Sequence, residues 1–169
     1  MSDKIINKLA NSKLITIDLS DYAPKSNIQN LDIKDFLSEG IILKEKEFRL
    51  SLKEFDFSIY SGKPVALNCS TKAIVPMWAF MLVTSYLNNF SSEVHFGTKE
   101  EVFQKIFTSN IEEIDASEFK DKKIIVKGCG QVPVSESLYI AITMKLQNKV
   151  SSLMFGEACS SVPVFKNKN

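Results

Sequence analysis

The sequence predicts a mainly parallel α/β protein, a three-layer sandwich around a Rossmann-like sheet, and two observations carry that prediction. From Pro64 onward, short apolar runs rich in β-branched residues alternate with longer stretches of helical period, in the order β-α-β-α-β-α-β. Turn and cap residues mark each junction, as crossover connections between parallel strands require. The expected layout is one domain over residues 1–169, with its core at 63–169 and a strand and helices at 1–62 that cover the sheet.

Residues 3–10 fit a short helix, and LITIDLSD places Leu14, Ile15, Ile17 and Leu19 in a first strand leading to Asp18 and Asp21. Tyr22 to Asn30 has loop composition. Asp32 suits the N-cap of a helix over DIKDFLSEG, which Gly40 would stop. Leu43, Phe48, Leu52 and Phe55 then recur at near-helical spacing and predict a helix from Lys44 to Glu54.

A turn at Ser61 and Gly62 leads into a buried strand, Pro64 to Asn68, which ends on Cys69. Ser70 or Thr71 would cap the next helix, with Pro76 in its first turn and Met77, Phe80, Met81, Thr84 and Leu87 along one face. SEVHFG reads as a short strand, and Thr98 caps a helix over TKEEVFQKIFTSN. A polar connector with one more helical turn delivers the strand KKIIVKGC. A helix over SESLYIAITMKLQNKV, capped by Ser135, precedes the last strand of the series, SSLMFGEACSS, and SVPVFK adds a short extended tail. No internal repeat or second domain is evident in the residues.

Composition narrows the function classes. A net charge of +1 and a single arginine, Arg49, argue against a surface built for phosphate or nucleic acid, where the arginine fork is favoured. The apolar run from Ala73 to Val83 is too short to cross a bilayer. The first residues lack a secretory pattern, and three cysteines without a leader fit a reducing, cytoplasmic setting.

The three cysteines supply the sharpest expectation. Cys69, Cys129 and Cys159 each finish or follow a strand, and sites in parallel sheets form where the carboxyl ends converge. If the strands bearing them lie side by side, three thiolates can hold zinc or an iron–sulfur cluster, with Glu157 or His95 as candidates for the fourth position. Helices starting just after the thiols would favour thiolate. Against this, free cysteines are often plain buried residues, and a lone strand histidine is more often half-buried structure than a ligand. No CxxC, GxSxG, GxGxxG or P-loop pattern is present. The rival readings are a cysteine-dependent enzyme acting on a small acyl or sulfur-bearing substrate, with Cys69 as nucleophile and His95 as base, and an interaction module without catalysis.

Through ITIDLSDY, LDIKDFLSEGIILKEKEFR, ALNCSTKAIVPMWAFM, VHFG, IIVKGCGQVPVSESLY and LMFGEACSSVPVFK, the chain resembles the bacterial domain of unknown function 2480 nearly end to end. The resemblance implies no reaction. It singles out Cys69, Cys129, Cys159, Glu157, Asp18 and Asp21, and it implies a setting near iron–sulfur assembly proteins as partners.

Overall fold

The computed structural model describes residues 14–128 and 130–167. Among them, seven strands and four α-helices build two mostly parallel sheets. The chain divides into two compact units. One, the inserted unit, is Pro24–Ile106; the other, the flanking unit, comprises the described parts of Met1–Ala23 and Phe107–Asn169.

The chain opens in the flanking unit with β1 (Leu14–Asp18). It then runs through the inserted unit as β2 (Gln29–Asp32), α1 (Glu45–Glu54), β3 (Pro64–Asn68), α2 (Met77–Leu87) and β4 (Glu93–Phe96). These three strands make a parallel sheet in the order β2-β3-β4. Side chains alternate across β3. Val65 and Leu67 pack with Phe48 and Leu52 of α1 and with Ala79 and Val83 of α2, whereas Ala66 packs with Ile28, Val102 and Ile106. Val102 and Ile106 belong to α3 (Lys99–Glu112), which spans the boundary between the units. The flanking unit continues with β5 (Lys123–Lys127), α4 (Glu136–Leu146), β6 (Ser152–Glu157) and β7 (Ser160–Lys166). Its order is β1-β5-β6-β7, with β7 alone antiparallel.

Several expectations are corrected here. The single Rossmann-like sheet of a three-layer sandwich gives way to two sheets, because β3 pairs with β2 and β4 while β5 pairs with β1 and β6. Gln29 and Asn30, placed in a loop by composition, begin β2: its Leu31 is buried, and pairing with β3 overrides weak strand propensity. Asp32 does cap, but the element is a 3-10 turn, Ile33–Phe36. The helix expected directly after Cys69 starts only at Met77, with Pro76 at its N-cap position. A proline disfavours helical backbone in the residue before it, so Val75 and its predecessors stay in a loop. No helix N-terminus therefore begins at Cys69. The helix expected at residues 3–10 lies outside the described residues.

The two units also contain a repeat. The 3-10 turns beginning at Phe57 and Ala116, the strands beginning at Pro64 and Lys123, the helices beginning at Met77 and Glu136, and the strands beginning at Glu93 and Ser152 are each 59 residues apart. Ladder registers match at the same offset: Val65 pairs with Val94 as Ile124 pairs with Leu153. So do the buried helix positions, Ala79, Val83 and Leu87 against Leu138, Ile142 and Leu146. Asp56 and Asp115 cap their turns through Ser58 and Ser117, whose hydrogen bonds hold both carboxyls below the usual range. Gly97 and Gly156 both adopt positive φ, 137° and 112°, where glycine alone is at ease.

Candidate functional site: an apolar groove beside Cys69

Cys69 and Cys159 do not lie at the rim of one sheet. Cys69 follows β3 of the inserted unit, and Cys159 lies in the turn between β6 and β7 of the flanking unit, where it is exposed. Cys129 lies outside the described residues. Among the described residues, no group of three or more His, Cys, Asp or Glu is placed to hold a metal ion. That overturns the reading of the chain as a zinc or iron–sulfur protein. The physical reason is strand order: the expectation needed β3, β5 and β6 as neighbours, and the hydrogen-bond ladders place β3 in a different sheet.

The other expected site residues are engaged with their own neighbours. His95 Nε2 lies 2.7 Å from Glu93 Oε2. Its register partner is Ala66, so it stands on the opposite face of the sheet from Val94 and Phe96. Glu157 accepts from Lys127 Nζ at 3.2 Å, and Lys127 also lies 3.9 Å from Asp18 Oδ2. Asp18 Oδ1 accepts from the Ser20 N–H at 3.1 Å and its hydroxyl at 2.5 Å. This chain of charges ties together the carboxyl ends of β1, β5 and β6. Asp21 is an exposed residue of the turn after β1.

What Cys69 does line is a groove of about 580 Å³. The end of β3 provides Leu67 and Cys69, the loop provides Thr71, Ala73 and Val75, α2 provides Met77, Phe80 and Thr84, and β4 provides Val94 and Phe96. Phe80 and Phe96 meet edge to face at 5.7 Å. The Thr71 hydroxyl donates to the Gly40 carbonyl at 3.0 Å. Its oxygen therefore receives the Cys69 thiol in their 3.4 Å contact. The half-buried thiol thus adds a directed polar group to a mostly apolar lining.

Sequence reasoning missed this groove, although the signal was present. From Ala73 to Ser92 there is no charged residue. A helix that is apolar on all sides needs cover on all sides. In α2 the inner face holds Ala79, Val83 and Leu87, yet Met77 and Met81 remain more than 70% exposed, at 71% and 72%.

The flanking unit carries a matching groove of about 390 Å³. Val126, Tyr139, Thr143, Leu153 and Phe155 occupy there the repeat positions of Leu67, Phe80, Thr84, Val94 and Phe96. The ring pair recurs too, with Tyr139 and Phe155 edge to face at 5.6 Å. Val164 of β7 closes part of this second groove and has no counterpart in the first.

Among the described residues, no helix is long and apolar enough to cross a membrane. No match was found to a curated protein or to a solved structure. The family described as "Protein of unknown function (DUF2480)" matches residues 3–167, nearly the whole chain, and the protein therefore belongs to that family.

Proposed function

We propose that this protein binds a small, largely apolar molecule in the groove beside Cys69. The observation that carries the reading is the groove itself: about 580 Å³, apolar on most sides, with the Cys69 thiol and the Thr71 and Thr84 hydroxyls as its few polar groups. Ligand pockets have this size and this pattern, an apolar body with a small number of orienting groups. Its place at the carboxyl end of the central strand of a parallel sheet supports the same reading. Among the described residues, Cys69 is the one expected site residue that lines this groove, and its role is contact with the ligand. The free thiols Cys69 and Cys159 favour a reducing, cytoplasmic setting for that binding.

Titration with anilinonaphthalene sulfonate, an apolar fluorescent probe, tests the proposal. Thr84→Trp fills the groove beside Cys69, and Thr143→Trp fills its counterpart in the flanking unit. The expected result is saturable binding that weakens at least tenfold in Thr84→Trp and is unchanged in Thr143→Trp. Equal effects of the two substitutions, or none from Thr84→Trp in a folded protein, would refute the assignment.

A further inference from the structure

We infer that two copies of this chain pair through the outer edge of β4, antiparallel, with Glu93 of each copy opposite His95 of the other. The inference stands apart from the ligand reading, because it rests on the edge of the sheet and not on the groove.

The repeat supplies the first argument. β4 and β6 are equivalent strands, and the outer edge of β6 is covered by the antiparallel β7. Among the described residues, the same edge of β4 has no strand beside it. An open edge carries a row of outward N–H and C=O groups that pair readily with another strand. Among the described residues, the fold has thus filled this position once, and left it open once.

Register supplies the second. The Gly97 N–H donates inward to the Leu67 carbonyl at 3.1 Å, in step with the pairing of Leu67 and Phe96. Backbone direction alternates along a strand, so Glu93 and His95 also turn inward, while Val94 and Phe96 turn their N–H and C=O groups outward. A two-fold axis at Val94 sets Glu93 against His95 of the second copy on both sides of the axis. Val94 then exchanges two backbone hydrogen bonds with its own copy, and each Glu93–His95 pair is non-hydrogen-bonded, with its side chains close together.

Charge supplies the third. The sequence EVHF is complementary to itself when run antiparallel, since the acid faces the imidazole twice. Opposite groups directly across a ladder stabilise pairing, and like charges oppose it. Interfaces of this closed, isologous kind are the commonest in soluble oligomers. On the groove face the same pairing sets Phe96, 73% exposed in the single chain, beside the second copy.

Sedimentation equilibrium of the full chain is the test. Wild type should be dimeric at micromolar concentration. His95→Glu sets acid against acid and should weaken the dimer at least tenfold, and the exchange Glu93→His with His95→Glu should restore it to within about threefold. Val94→Cys should give an intermolecular disulfide between the two copies of that position, because such pairs lie within disulfide reach. A monomer at every concentration, which would leave the edge to an extended segment of another protein, overturns the inference. So does a dimer that is indifferent to His95→Glu and forms no Val94→Cys cross-link.

Discussion

Asp32 shows how much one side chain can fix. It ends β2, is only 7% exposed, and its Oδ1 accepts from the N–H groups of Lys34 and Ser70, each at 3.1 Å. Burial alone would raise its pKa. The hydrogen bonds from Ser70 and Lys34, with the Lys34 charge, outweigh burial and hold the carboxyl below its usual range. A depressed carboxyl stabilises the fold above its unfolded-state pKa, and that contribution is lost as pH falls through the folded value. Asp32→Asn should therefore cost about 1–3 kcal/mol near neutrality. The cost should shrink as pH falls below the ordinary carboxylate range, where the carboxyl of the unfolded chain takes up its proton first and the folded one follows. Urea unfolding of both proteins at neutral and acid pH checks the sign; a penalty that grows on acidification would contradict it.

At the scale of elements, the caps at Asp32 and Thr98 and most of the short strands were legible, and the pairing was not. Thr98 was readable as an N-cap, and it forms the full reciprocal box: Glu101 N–H donates to Thr98 Oγ1 at 3.2 Å, and Thr98 N–H to Glu101 Oε2 at 2.7 Å. Local chemistry of this kind is written in four residues. Strand order is not, because β3 and β5 look alike as apolar runs and nothing within them names the neighbour. The same ignorance of pairing made three distant cysteines look convergent. It also hid β2, whose one strong residue, Leu31, gains its meaning only beside Leu67. Thr98→Ala should cost about 1 kcal/mol. Gly97→Ala should cost more, because φ of 137° strains any side chain and its Cβ would come within 2.9 Å of Glu101 Oε2 and 3.2 Å of Glu101 Cβ. Thermal melts of the two variants should rank in that order.

At the scale of the whole molecule, the 59-residue repeat gives the chain two equivalent cores, one in each unit. It escaped the sequence because the copies share burial and turn positions more than residue identity: Val83 answers Ile142, and Asn68 answers Lys127. Each unit has its own sheet and its own fully buried helix residues, so each has the means to unfold as a unit. Val83→Ala and Ile142→Ala delete apolar volume at the same place in the two copies, and both residues are essentially inaccessible. Ile142→Ala should cost about 2–5 kcal/mol, and Val83→Ala less, in proportion to the smaller volume removed. Native-state hydrogen exchange resolves where the loss falls. Val83→Ala should raise exchange chiefly in the β3 and β4 ladder, and Ile142→Ala chiefly in β5 and β6. Uniform acceleration across both ladders by either substitution would mean that the two cores melt as one, and that the repeat is a matter of pattern without separate stability.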